Sequence, residues 1–227
     1  MTKLIITISI LVLSVTNSLT AQFGLGVKAG LASNDVHANV YIDAVNNAPK
    51  GYTAGIYGIT AEMPIHSNIS IVSELLKTNK GFVIDESTTF DLAGINIPVG
   101  GRVTTSINYV ETPLLLKGII GNSGIQGYGL VGPSLGYATS AKLQPTATLL
   151  IDYNLPEVDI DLSSEMYNRW DISAVVGAGA QIEVGQGKIF ADLRYQLGLR
   201  DMVNSSGIEM DLKARAVQVS VGYAYTF

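Results

Sequence analysis

The chain has two histidines, His37 and His66, and no cysteine. A Ser–His–Asp catalytic set needs a histidine within hydrogen-bond reach of both a hydroxyl and a carboxylate. Asp35 lies near His37, but no serine is tied to them by spacing, and His66 falls in a different segment, at what is expected to be the opposite end of the fold. The acids Asp152, Glu157, Asp159, Asp161 and Glu165 alternate in part like half a calcium loop. They lack the Gly turn and the closing bidentate Glu at the required spacing. A solvated hairpin, with room for the strands to extend into it, is the expected reading, with weak divalent-ion binding as the alternative. Gly-x-Gly occurs at 24–26, 127–129 and 177–179, each time in strand-like sequence with no following helix. Such runs cannot cradle phosphate at a helix N-terminus, and small residues facing a tight interior account for them. No catalytic, cofactor-binding or metal-binding residue is therefore expected.

The polar constellation with a physical claim is a set of charges that alternation places on one side of successive strands. Lys28 and Arg194 are its basic members; Glu62, Glu74, Glu111 and Asp192 are its acidic ones. A buried ion must be paired or wetted, because an isolated one is very costly. The expected arrangement is a salt-bridge network that fills a narrow lumen. A gated pore or proton path is the sharper alternative, and a catalytic carboxylate pair a third.

Eight strand-like segments must position these charges: 23–32, 52–63, 69–80, 102–117, 124–137, 170–184, 188–199 and 213–227. The gaps 64–68, 118–123 and 185–187 are short; 33–51, 81–101, 138–169 and 200–212 are long. Short turns alternating with long loops, and an even strand number, describe an eight-stranded antiparallel up-and-down transmembrane β-barrel with tight periplasmic turns and long external loops. Side chains alternate across a strand. Ile189, Ala191, Leu193, Tyr195, Leu197 and Leu199 thus oppose Phe190, Asp192, Arg194, Gln196 and Gly198. Ile172, Ala174, Val176, Ala178, Ala180 and Ile182 likewise oppose Asp171, Ser173, Val175, Gly177, Gly179, Gln181 and Glu183, and Phe23, Leu25, Val27, Ala29 and Leu31 oppose Gly24, Gly26, Lys28, Gly30 and Ala32. An Arg or Lys facing mid-bilayer lipid costs roughly 2–4 kcal/mol in a barrel, so the apolar sets face lipid. A soluble eight-stranded barrel is the structural rival, but its outer face would carry charge. Pro113 cannot donate to a ladder and predicts an irregularity in the fourth strand.

Both ends of the chain fit export. Lys3, an apolar run from Leu4 to Val15 and a polar, small-residue stretch ending at Ala21 have the layout of a secretory signal peptide. Residues 1–21 are expected to be removed, leaving 22–227 as the barrel domain. The apolar run is shorter than the roughly 20 residues a membrane helix needs. Val217, Val219, Val221, Tyr223, Tyr225 and Phe227 form one face of the last strand. This apolar-aromatic strand resembles the closing strand of bacterial outer-membrane barrels, where Tyr223, Tyr225 and Phe227 would be read by the barrel assembly machinery. Charged residues make up 15% of the chain, well below the roughly 25% of soluble domains. Apolarity in alternate positions is how a membrane barrel escapes hydropathy windows. The net charge of -5 argues against nucleic acid as a partner.

Several segments resemble the small outer-membrane β-barrel family common in Bacteroidetes, which includes the PorT-like proteins. Phe23-Gly24-Leu25-Gly26-Val27-Lys28-Ala29-Gly30-Leu31 is similar to its first strand. Tyr109-Val110-Glu111-Thr112-Pro113-Leu114-Leu115-Leu116-Lys117 is similar to its Tyr-x-Glu-x-Pro-Leu-x-x-Lys block. Asp192-Leu193-Arg194-Tyr195 with Gly198-Leu199 resembles its seventh strand, and Val217 to Phe227 its last. The resemblance implies a barrel in the outer membrane of a Gram-negative bacterium and no particular activity, although PorT itself is linked to a protein secretion system. The expected role is structural or interactive: adhesion, envelope integrity, or part of an envelope assembly. Its partners would be outer-membrane lipid and envelope proteins met through the external loops. A small porin or transport-related channel is the alternative, and an outer-membrane lipid hydrolase or protease comes third.

Overall fold

The computed structural model describes residues 23–38, 50–92, 95–121, 124–149, 151–160, 169–199 and 212–227. The segment 1–21 read as a signal peptide lies outside them. The elements are β1 (Gly24–Ala38), β2 (Lys50–His66), β3 (Ile69–Leu92), β4 (Ile95–Ile120), β5 (Ile125–Leu149), β6 (Ile151–Asn154), β7 (Val158–Ile160), β8 (Trp170–Val184), β9 (Gly187–Gly198) and β10 (Leu212–Thr226). Eight of these close a ring in the order β1, β2, β3, β4, β5, β8, β9, β10, every pair antiparallel. The closing pair, β1 with β10, runs from Gly24↔Thr226 to Ala38↔Leu212. Closure leaves no free edge in the ring, which is what lets a sheet cross hydrocarbon.

The stagger of the ring can be read from its ladders. Following hydrogen-bonded partners from Val110 on β4 passes through Lys77, Tyr57, Ala29, Val221, Ala191, Ala180 and Gly127. It returns to β4 at Ile120, ten residues from its start. Such a stagger over eight strands tilts each strand by about 40° and leaves an interior that side chains alone can fill.

The alternation expected for β1, β8, β9 and β10 is the one observed. On β10 Val219 is 56% exposed while its neighbour Ser220 is 1% exposed. The wall outside is built from Leu25, Val27, Leu31, Val131, Val176, Leu193, Val217 and Val221, among others. That wall is the opposite of a soluble barrel's. Lys77 breaks the pattern: it points outward between the buried Leu76 and Thr78.

A narrow ring also explains inward glycines. A Cβ on Gly30 would stand 2.1 Å from the Val219 carbonyl oxygen, so the strands can approach there only without one. Gly177 and Gly179 face the same way, but the expectation for 127–129 is corrected: Gly127 and Gly129 are exposed on the outer face, flanking the buried Tyr128. The parity of β5 is set by its bulky inward residues Tyr128 and Leu130, which leaves the glycines to the wall.

Short turns lie at Ser67–Asn68 and at Gly185–Gln186, while Gly121 follows β4 and Gly124 precedes β5; φ is positive at Gly121, Gly124 and Gly185. Two of the segments expected as long loops are largely strand. β3 and β4 stay paired out to Leu92↔Ile95, and β4 and β5 out to Val99↔Leu149. β6 and β7 then run back along β5, from Leu149↔Ile151 to Ala141↔Ile160. The physical reason lies in β-branched and aromatic runs such as Val83, Ile84, Thr88, Thr89 and Phe90, which favour a pleated surface even outside lipid. Near Pro113 the register does not shift, but the β3 ladder lapses between Ser73↔Leu114 and Leu76↔Glu111. Pro133 on β5 has a matching lapse between Pro113↔Ser134 and Leu116↔Val131. The bulge itself lies higher, at Asn108/Tyr109.

Candidate functional site

The inward positions of the ring form stacked layers. At the short-turn end Glu62 accepts from Lys117 Nζ at 2.9 Å and lies 2.7 Å from Lys188 Nζ. Lys117 also donates to Gln181 Oε1 at 2.5 Å, and Gln181 Nε2 donates to Gln126 Oε1 at 2.7 Å. Glu62, Gln126, Gln181 and Lys188 line an open vestibule of about 540 Å³ together with His66, Ser67 and Phe227. Lys117 stands 4.3 Å from the centroid of the Tyr128 ring. Tyr128 belongs to an apolar layer with Val72, Leu115, Leu130, Val175, Phe190 and Ala224.

The next layer is ionic. Arg194 Nη1 and Nη2 donate to Glu74 Oε2 and Oε1 at 2.7 and 2.9 Å, a two-pronged contact across the lumen. Nη2 also reaches Asp192 Oδ2 at 3.0 Å, and Nε sits 2.9 Å from Asp192 Oδ1. Lys28 Nζ lies 3.4 Å from both Glu74 and Asp192. Asp192 further accepts from the hydroxyls of Ser220 at 2.6 Å and Tyr128 at 3.3 Å. The guanidinium is the natural hub, because it stays charged and presents a rigid fork of donors.

A third layer centres on Lys80, 2.6 Å from Glu111 and 2.7 Å from Asp171, with its ammonium 5.0 Å from the Tyr109 ring centroid. Gln196 Nε2 donates to Ser173 Oγ at 2.7 Å and approaches Glu111, while Gln218 donates to Gln196 at 2.6 Å. Above them Asn34 Nδ2 donates to the Tyr52 and Asn79 carbonyls. Buried polar groups are mostly met by partners; among the described residues Ser134 Oγ and Arg194 Nε make no hydrogen bond, Nε meeting Asp192 only as an ion contact. The layers leave a void of about 20 Å³ between Glu62, Tyr128, Phe190 and Arg194, about the volume that one water needs.

The six charges proposed from sequence, Lys28, Glu62, Glu74, Glu111, Asp192 and Arg194, are all buried here. They do not form one cluster. Glu62 stands apart in the lowest layer, and Glu111 in the uppermost. Sequence reasoning missed Lys80, Lys117 and Lys188 as members and left Asp171 out although it was read as inward. Parity carried the signal: Lys80 is six residues from Glu74, and Lys117 six from Glu111, on the same faces.

The other candidates stay apart. His66 bonds only to Ser67 Oγ, at 3.0 Å. The side chains of Asp35, His37 and Asp152 lie outside the described residues, as do Asp161 and Glu165. Glu157 pairs with Lys142 at 2.7 Å on the long hairpin, and that hydrogen bond and its charge raise the Lys142 pKa. Among the described residues no cluster of His, Asp and Glu could hold a metal ion. Tyr225 donates to Gln186 at the vestibule rim, and its ring packs edge-on against Phe227 at 4.8 Å.

Residues 16–204 match the profile of a family described as outer membrane protein beta-barrel domain. No curated protein sequence matches the chain. Among solved structures, Neisserial surface protein A is similar at 13% identity and a TM-score of 0.46, over 90% of this chain and 97% of its own. OprG from Pseudomonas aeruginosa is similar at 13% identity and 0.48, over 91% and 97%. The outer membrane protease OmpT from Escherichia coli is similar at 11% identity and 0.41, over 93% and 100%.

Proposed function

The chain belongs to the outer membrane protein beta-barrel domain family, and from that premise we propose that it is a closed-lumen barrel whose work is done by its long hairpins at the cell surface. Its role is structural or interactive: envelope integrity, adhesion, or membership of an envelope assembly. The observation that carries this reading is the layer of Arg194, Glu74, Asp192 and Lys28, which crosses the interior in direct ion contact. A conducting pore needs a wetted path, and this layer leaves room for about one water.

In the same reading the outer membrane of a Gram-negative bacterium holds the barrel with its short turns in the periplasm and the β3–β4 and β5–β7 hairpins outside. A signal peptide is cleaved after Ala21. Tyr223, Tyr225 and Phe227 act as the insertion signal at the rim where β1 and β10 close the ring. Likeness to the small outer-membrane barrels common in Bacteroidetes, which include the PorT-like proteins, rests on the Tyr109–Lys117 block, whose Glu111 and Lys117 each hold an ion pair in the lumen.

Single-channel recording on the full chain in planar bilayers tests the reading. Wild type is expected to give no stepwise current. Reproducible unitary conductance would replace it with the small-channel reading.

A further inference from the structure

On the outer face of β3, Lys77 is an ion that lipid tails cannot satisfy. Lys77 is exposed on the outward face of β3, eight residues above Ile69. At roughly 2.5 Å of axial rise per residue for a strand tilted about 40°, its ammonium root stands about 20 Å above that end. The apolar band of such a barrel is about 25 Å tall, so the stem reaches the headgroup boundary on the long-hairpin side. Beneath it the wall is apolar, with Leu75 and Leu114 exposed, and the ladder partner of Lys77 on β4, Val110, is exposed beside it.

On its β2 side and above it the wall turns polar. Lys77 Nζ stands 5.9 Å from the centroid of the exposed Tyr57 ring. Asn79, Asn108 and Ser140 are successive ladder partners across β3, β4 and β5. Asn108 Nδ2 donates to Ser140 Oγ at 3.0 Å, and Ser106 Oγ donates to Asn79 Oδ1 at 3.1 Å. Among the described residues no carboxylate lies within ion-pair distance of Lys77. Lys142, the other outward lysine of this wall, is already held by Glu157.

We infer that Lys77, Tyr57 and the row Asn79, Asn108 and Ser140 bind the phosphorylated sugar headgroup of an outer-leaflet glycolipid. The ammonium meets a phosphate oxygen, and the amides and hydroxyls meet sugar hydroxyls. The acyl chains lie along Leu75 and Leu114. A free phosphate would satisfy only the first of these contacts. The inference rests on the long hairpins facing outward, since that is the glycolipid leaflet.

The test uses the full chain refolded in detergent, with native mass spectrometry of its complex with a diphosphorylated diglucosamine lipid. The dephosphorylated lipid is expected to bind about tenfold more weakly, the scale of one charge-assisted contact. Lys77→Gln should lose a similar factor, Lys77→Arg should keep binding, and Lys142→Gln should leave it unchanged, all with heat-modifiable gel mobility retained. Inorganic phosphate at the same concentration should not displace the lipid. Equal binding of both lipids, wild-type binding by Lys77→Gln, an equal loss in Lys142→Gln, or displacement by phosphate would each overturn the site. Orientation is read separately, by labelling Ser87→Cys on intact cells with an impermeant maleimide. Absence of label there overturns the topology and leaves the detergent result standing on its own.

Discussion

Arg194 and Glu74 are 120 residues apart in sequence and meet through two hydrogen bonds, at 2.7 and 2.9 Å, between opposite walls of the ring. β9 and β3 share no ladder, so this contact ties together parts of the wall that backbone pairing does not. Truncating either partner strips the other of its two-pronged contact, leaving Glu74 only the longer contact with Lys28, or Arg194 only Asp192, in a narrow interior. Arg194→Ala is expected to destabilise the folded barrel by about 3–5 kcal/mol. Urea unfolding in lipid vesicles, followed by tryptophan fluorescence from Trp170, measures it. The double variant Arg194→Met/Glu74→Leu should recover much of the loss, because both ions are gone. A double variant as unstable as the sum of the singles would mean that the pair does not act as a unit.

Glycine spacing makes a second prediction with an internal control. Gly30→Val places a side chain against the Val219 carbonyl, whereas a Cβ on Gly55 meets nothing within 4 Å. Overpacking of this kind costs about 1–3 kcal/mol or more. Gly30→Val should therefore reduce the heat-modifiable, folded fraction in outer-membrane preparations, and Gly55→Val should not. Equal folding of the two would show that the close approach of β1 and β10 relaxes freely.

Topology is tested by proteolysis of whole cells. The ladder along β5 is broken at Leu155–Glu157, between β6 and β7, and these residues are exposed. Added protease should nick there or elsewhere within 138–169. Cleavage confined to 118–123 on intact cells would turn the barrel upside down.

Deletion of Phe227 is expected to impair assembly beyond what its contacts imply. In the fold it packs only at the rim, against Tyr225, and its amide donates to the Phe23 carbonyl at 2.9 Å. Wild-type outer-membrane levels of the deletion variant would show that the aromatic strand is not read during insertion.

The ring was legible wherever one face was uniformly bulky. On β9 and β10 the period-two pattern assigns every residue correctly, because lipid penalises a single error on the outer face. It failed at Gly127 and Gly129, where the outer face is made of small residues and parity had to come from Tyr128. It also failed above the bilayer. At 81–101 the sequence keeps no strict alternation, and strand sequence looks like loop. In the lumen the signs of the charges were legible but not their grouping. Layers are set by the ten-residue stagger between Val110 and Ile120, a property of the closed ring that no single strand contains.

Among the described residues the ion-paired interior carries five cations, Lys28, Lys80, Lys117, Lys188 and Arg194, against five carboxylates, Glu62, Glu74, Glu111, Asp171 and Asp192. Its sum is zero. A neutral bore gives a passing ion of either sign no net Coulomb bias. A variant that widened it would therefore leak potassium and chloride in nearly equal measure, and its reversal potential in a salt gradient would lie close to zero.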